Sequence, residues 1–370
     1  MQIDVFHIID RTQTNPAEVS HAGQFQLGSA IPTDESILLQ VGWSLYCLDA
    51  RNQVAVFVEL PPDIDLAAAS FVYGAQFQNA RRVALVPFDA LPALAAQIDA
   101  PRNLALLMST GRCGSTLASR IFAHVPGVWS LSEPDWYTNL AFDRALIAPE
   151  QCDMLIAACT RLTCRPLQPE ATQSIIIKPR SEMMVQSAAY VATLTEARAV
   201  FMYRDCFGYA NSLYRFAQRV LGRKDPPRGS GEWEVIRQLS TINAPAALLD
   251  DFFNDTDEIG ALELITLGWT LRMKAYLEAQ GSGMRVMPIH YDDLNKDRRE
   301  HTSLLLESCG IDQIHLDQAM KGFEKDAHSG TSGENSVQAT AMTTQQRDRV
   351  GALVARWGLS DYQSDRLAPL

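Results

Sequence analysis

Apolar residues in this chain gather in short blocks of about four to six, set apart by glycine-, proline- and aspartate-rich punctuation. In the first hundred residues the blocks read as strands. Met1–Asp10 fits a first strand. Ser44–Leu48 and Val54–Val58 flank the turn Asp49-Ala-Arg-Asn52 and predict a hairpin, Val83–Pro87 predicts another strand, and Asp89–Ile98 predicts a helix. Beyond Arg102 the apolar blocks Leu104–Met108, Ser174–Ile177, Ala199–Tyr203 and Arg285–Ile289 alternate with helix-compatible stretches. Such alternation predicts an α/β architecture with a mainly parallel sheet, which binds ligands at the carboxyl ends of its strands.

Pro101, just ahead of the Leu104 block, marks the expected boundary between a β-rich or α+β unit over residues 1–100 and an α/β domain over 101–370. The N-terminal unit carries no motif and is expected to serve on the acceptor side of a site or in oligomerisation. Within the larger domain, 221–258 departs from the pattern, with a loop at Gly222–Gly231 and an acidic cluster at Asp250–Glu258. It is expected to be a lid or an insertion. Asp255–Gly260 is not a calcium loop, because the twelfth position is Thr266 where a glutamate is needed.

Composition narrows the classes. With 370 residues and 47% hydrophobic content the chain can bury a large core, and no apolar run nears the ~18 residues of a membrane span. Met1–Asp10 lacks the basic start of an export signal, so the expected location is cytoplasmic, with no membrane partner. A net charge of −11 argues against a nucleic-acid or polyanion binder. The seven cysteines are scattered, and even the closest pair, Cys159 and Cys164, fits neither a redox nor a zinc spacing, so free thiols and no metal are expected.

The candidate chemistry starts at Leu104–Arg120. The Leu104 block ends at Ser109-Thr110-Gly111-Arg112-Cys113-Gly114-Ser115-Thr116, and a helix-compatible segment follows. Strand, tight loop and helix N-terminus together aim backbone N–H groups, the positive helix end and hydroxyls at one spot, which suits a phosphate or sulfate. It is not a Walker A motif, since Ser115 and not lysine follows the second glycine. Cys113 is expected to be a small packing residue, with oxidation as its alternative fate. Further on, Ala199–Tyr203 runs into Arg204-Asp205, and Ser212 follows eight residues after Arg204. A guanidinium at a strand end and a hydroxyl about two turns into the next helix can clamp one phosphate.

The loop with Arg112 and the Arg204–Ser212 spacing resemble sulfotransferases that use 3′-phosphoadenosine 5′-phosphosulfate (PAPS). Three more stretches extend the likeness over about Leu104 to Trp357: Ser174–Arg180 with Lys178, Leu131–Trp136 with Glu133-Pro134, and Val286–Leu294. The chain departs from the family at Cys206, where proline is usual, and at His290 and Asp292. The resemblance implies a three-layer αβα P-loop fold. It implies that Gly111, Arg112, Cys113, Gly114, Ser115 and Thr116 hold the 5′-phosphosulfate, and that Arg204 and Ser212 hold the 3′-phosphate. Ser329, Gly330 and Thr331, in a polar C-terminal loop, would close the donor pocket.

Glu133 would be the base, with Asp135 or His124 as competitors, and Lys178 would stabilise charge on the leaving oxygen, with Arg180 as backup. Trp136 and Tyr137 beside Glu133 would desolvate it and raise its pKa toward that of a working base. The stretch around Val286–Leu294 is expected to be architectural. The implied function is sulfonate transfer from PAPS, leaving PAP (adenosine 3′,5′-bisphosphate), to a hydroxyl or amine of a small molecule, without metal. A homodimer is an allowed assembly. The alternatives are a P-loop kinase or NTPase, and a non-catalytic nucleotide-binding protein.

Overall fold

The structure is a computed structural model. It describes residues 2–15, 18–165, 171–221, 226–242, 244, 246–254, 259–281, 285–324, 341–359 and 367. The loop residues Ser329, Gly330 and Thr331, and the stretch 255–258 of the acidic cluster, lie outside them.

Two five-stranded sheets organise the chain. The first contains β1 (Gln2–Arg11), β2 (Phe25–Asp34), β3 (Trp43–Asp49), β4 (Val54–Glu59) and β5 (Arg82–Pro87), in the order β2-β1-β5-β4-β3. Every pairing in it is antiparallel. Helices α1 (Val72–Asn79) and α2 (Leu91–Ala95) belong to this part. The β3–β4 hairpin forms where the Asp49–Asn52 turn predicts it, with Asp49 accepting from the backbone and side chain of Asn52. The helix expected over Asp89–Ile98 is shorter, because a 3-10 turn at Phe88–Ala90 precedes α2.

The second sheet contains β6 (Leu104–Ser109), β7 (Val128–Ser132), β8 (Ser174–Lys178), β9 (Arg198–Tyr203) and β10 (Met287–His290), ordered β10-β9-β6-β8-β7. All of its pairings are parallel. The connecting helices are α3 (Ser115–Ala123), α4 (Trp136–Phe142), α5 (Pro149–Thr163), α6 (Ser187–Thr193), α7 (Cys206–Leu221), α8 (Gly231–Thr241), α9 (Ala246–Asn254), α10 (Ala261–Gly281), α11 (Tyr291–Lys296), α12 (Arg298–Ser308), α13 (Leu316–Met320) and α14 (Thr344–Arg356). The 221–258 stretch contributes α8 and α9. Among the described residues no helix is long and apolar enough to cross a membrane.

Both faces of the parallel sheet are covered, which is why its strands are apolar runs and do not alternate. Leu104, Leu106, Met108, Ile175, Ile177 and Phe201 point into a core shared with α4, α5, α10 and the first sheet. Ala105, Leu107, Ile176, Val200 and Met202 point the other way, toward α3, α11, α12 and α13. The β3–β4 side of the first sheet is also buried on both faces, while β2 is largely exposed: Ala55 and Phe57 join the shared core, and Val56 and Val58 pack with α1 and with Leu131 of β7. The antiparallel sheet thus lies against the β7 edge of the parallel one. Polar contacts hold it there: Asn139 of α4 donates to Ser20 O at 2.9 Å and accepts from Leu48 N at 3.0 Å.

Candidate functional site

The loop after β6 adopts the strand–turn–helix form its composition predicts. Gly111, Arg112 and Gly114 have φ of 84°, 53° and 79°, so three of the four residues ahead of α3 are left-handed. Arg112 is unusual in this, since a side chain at positive φ is strained and such residues cluster at functional sites. Gly114 is required twice over. It is the left-handed N-cap of α3, and a Cβ there would lie 2.8 Å from Tyr291 Cδ2. The loop is sewn to β9, with Thr110 N donating to Met202 O at 3.1 Å and the Cys113 thiol reaching the same carbonyl at 3.2 Å. Cys113 is fully buried, and burial pushes its thiol pKa up, so it packs as a small apolar residue.

Since β9 neighbours β6, Arg204 and α7 come to the same strand mouth. Arg112 Nε donates to Ser212 Oγ at 3.2 Å, and the Arg112 guanidinium lies 4.9 Å from the Phe216 ring. Arg204 stacks on Tyr291 at 4.5 Å. Its Nε is buried without a hydrogen-bond partner among the described residues. Gly208 makes room for it, as a Cβ there would meet that Nε at 2.5 Å. The start of α7 is capped by Asp205, which accepts from Gly208 N at 2.8 Å, so Cys206 in place of proline leaves the turn intact. Tyr291, which the sequence pattern assigns to architecture, therefore sits between the loop glycine and Arg204.

Asp205, His290 and Asp292 bring ligand atoms within 4.8 Å of one another. Two of these groups already serve as caps, His290 Nδ1 accepting from Asp292 N at 3.1 Å and Asp205 from Gly208 N.

A second group of charges gathers at the ends of β7 and β8. Lys178 is 2% exposed, and its Nζ donates to Glu133 Oε1 at 2.5 Å and to Ser132 Oγ at 3.4 Å. Register explains the encounter, because Ser132 pairs with Lys178 across the parallel strands and Glu133 N donates to Lys178 O at 2.6 Å. Glu133 has φ 60°, the second strained side chain of the site. Arg180 lies 3.9 Å from Glu133 Oε2 and forms a bidentate pair with Asp135 at 2.6 and 2.9 Å.

Asp135 is fully buried and also accepts from Ser20 N and Oγ at 2.8 and 2.9 Å. Burial opposes the charge on Arg180, but Asp135 together with Tyr73 and Glu133 outweighs it and keeps the guanidinium ionised. Asp135 is held by these four hydrogen bonds and fully buried, whereas the Glu133 side chain keeps 17% exposure and is the carboxylate open to the site. The side chains of Trp136 and Tyr137, expected beside Glu133, enter the core, where Trp136 donates to Thr163 Oγ1 at 2.8 Å and Tyr137 meets Thr160 at 3.1 Å. Phe71 and Tyr73, from the N-terminal part, are the aromatics here: Tyr73 lies 4.0 Å from the Arg180 guanidinium and Phe71 5.7 Å from Lys178 Nζ. His124 is exposed at the far end of α3, about 13 Å along the helix from the loop.

A third buried cation, Arg272 of α10, links the two groups. It donates to Ser181 O at 3.1 Å, to Glu182 at 3.2 Å and to Tyr209 Oη at 3.3 Å, beside the Gly111 end of the loop. The sequence signals for these supporting residues are faint. Arg272 lies in an apolar helix, and Ser20, Phe71 and Tyr73 lie in a unit without motifs. Only the strand β7 could have been read beforehand, from Val128-Trp-Ser-Leu131 after the Pro126-Gly127 turn.

No family model and no curated protein matches this sequence. Solved structures do. Mouse sulfotransferase SULT7A1 complexed with PAP is 14% identical, with 72% of this chain covering 89% of that one at a TM-score of 0.39. The sulfotransferase domain of the Synechococcus PCC 7002 olefin synthase is 16% identical, with 73% of this chain covering 90% of it at 0.38. A retinol dehydratase in complex with retinol and PAP is 9% identical, over 88% of this chain and 99% of that one, at 0.37. The chain is similar in structure, at low identity, to solved sulfotransferases.

Proposed function

We propose that this chain is an enzyme that transfers a sulfonate group from PAPS to a hydroxyl or amine of a small-molecule acceptor. The observation that carries the reading is the Arg112–Ser212 hydrogen bond at 3.2 Å, which joins two anion-binding elements at one strand mouth. A nucleotide phosphorylated at both ends of its ribose fits this pair. The orphaned Nε of Arg204 fits it too, since a buried donor without a partner costs about 1–3 kcal/mol unless a ligand accepts from it.

In this reading the loop N–H groups of residues 111–116, the Arg112 guanidinium and the hydroxyls of Ser115 and Thr116 hold the 5′-phosphosulfate. Arg204 and Ser212 hold the 3′-phosphate, and Ser329, Gly330 and Thr331 are the proposed closing loop. PAPS, when bound, supplies the activated sulfonate.

Lys178 has three N–H donors. Glu133 and Ser132 take two, and in this reading the third donates to the leaving phosphate oxygen. Glu133 accepts the acceptor's proton on a carboxylate that retains lone pairs beside its Lys178 bond. As in phosphoryl transfer, positioning and charge stabilisation supply the catalysis. Residues 1–100 are read as the acceptor side. The seven unpaired cysteines support a cytoplasmic location.

Calorimetry tests the reading. Adenosine 3′,5′-bisphosphate should bind without magnesium and more tightly than ATP–magnesium. Arg204→Ala should weaken the bisphosphate by about tenfold or more, from ~1.5–3 kcal/mol of charge-assisted hydrogen bonding, and adenosine 5′-monophosphate far less. Preference for ATP–magnesium, or equal losses on both nucleotides, would sink it in favour of a kinase-type or other nucleotide protein.

A further inference from the structure

The charged group around Glu133 is not finished by the parallel-sheet part of the chain. The N-terminal part is pinned against it by two links, Ser20 to Asp135 and Arg180 Nη2 to Glu18 O at 3.2 Å. From that anchored unit α1 presents its first turn to the site. Tyr73, 6% exposed, is spent on Arg180. Phe71, the N-cap residue of α1, stacks on Tyr73 with centroids 5.6 Å apart and planes at 25°. It stands over Lys178 and remains partly exposed. The segment leading to it, Ala67-Ala68-Ala69-Ser70, is all small side chains, so nothing bulky from its own strand of chain covers that ring.

The surrounding charges cancel. Lys178 is matched by Glu133, Arg180 by Asp135, and Arg272 by Glu182. A charged acceptor group would find no unmatched counter-charge among these six, and would lose hydration on entering. An uncharged acceptor loses little.

We propose that Phe71 determines acceptor specificity, and that the acceptor is an uncharged hydroxyl compound whose apolar body packs against the exposed part of this ring while its hydroxyl reaches Glu133. This rests on the transfer reading above for the role of Glu133. The binding surface itself does not depend on it.

The test is binding of 4-propylphenol and its cationic isostere tyramine to the full chain, with and without adenosine 3′,5′-bisphosphate. The wild type should prefer 4-propylphenol. Phe71→Ala should weaken 4-propylphenol about three- to tenfold, the span of a lost aromatic contact, and Phe71→Trp should restore it. Unchanged melting temperatures would show that both variants fold. Failure of 4-propylphenol to bind, equal or tighter binding of tyramine, or no effect of Phe71→Ala would each overturn the proposal. Phe71-dependent binding of 4-propylphenol by a chain that ignores adenosine 3′,5′-bisphosphate would instead overturn the transfer reading and leave this surface standing.

Discussion

Arg112 and Ser212 meet side chain to side chain at 3.2 Å although 100 residues separate them. The bond ties the loop after β6 to the second turn of the helix after β9, so each element holds the other at the strand mouth. Ser212→Ala removes one neutral partner of a guanidinium. It should weaken adenosine 3′,5′-bisphosphate binding about three- to tenfold, on ~1 kcal/mol for such a bond, with little change in melting temperature. Calorimetry with the variant checks it, and unaltered affinity would remove Ser212 from the site.

Gly114→Ala should be far more damaging. The new Cβ would meet the Tyr291 ring at 2.8 Å on a backbone at φ 79°, both unfavourable for a side chain. We expect a loss of about 1–3 kcal/mol of stability in denaturant unfolding. Loss of nucleotide binding should accompany it, as the loop and the Arg204–Tyr291 stack shift together. Wild-type stability and affinity in this variant would contradict the packing described.

Asp135→Asn should cost about 3–5 kcal/mol, because it removes the bidentate counter-charge of the Arg180 guanidinium and leaves only Glu133, 3.9 Å away and already paired with Lys178. The double variant Asp135→Asn with Arg180→Gln should recover a substantial part of this, since neither neutral amide needs a charge partner. A double-mutant cycle from chemical unfolding reads the coupling. Additive losses would mean that the pair does not act as a unit.

All seven cysteines are buried, and burial pushes the thiols up: Cys206 and Cys309 to about 12, and Cys113 above its usual value. Only the thiolate reacts, and these groups stay protonated until well above pH 8. A disulfide reagent at pH 8 should modify none of them within minutes in the native protein and all seven in denaturant. Rapid modification of Cys113 would show the loop to be open and restore the oxidation-sensitive alternative for that residue.

The local pattern was enough to determine where the chemistry begins. Apolar runs bounded by turns are a short-range signal, so β6, β8, β9 and β10 form where the sequence places them, and the loop at 110–114 and Arg204 fall at strand ends. The eight-residue step from Arg204 to Ser212 is likewise a helical distance fixed by the chain alone. What the sequence could not determine is which ends become neighbours. The order β10-β9-β6-β8-β7 puts β9 on one side of β6 and β8 on the other, and brings Glu133 to Lys178 through pairing of β7 with β8. Tyr291 reaches Gly114 only after α11 packs beside α3. Ser20, Phe71 and Tyr73 reach the charged cluster only because the antiparallel sheet buries its second face against β7. Those contacts join residues 45 to 177 positions apart, and they are selected by burial of apolar faces over the whole core, which no window of sequence contains.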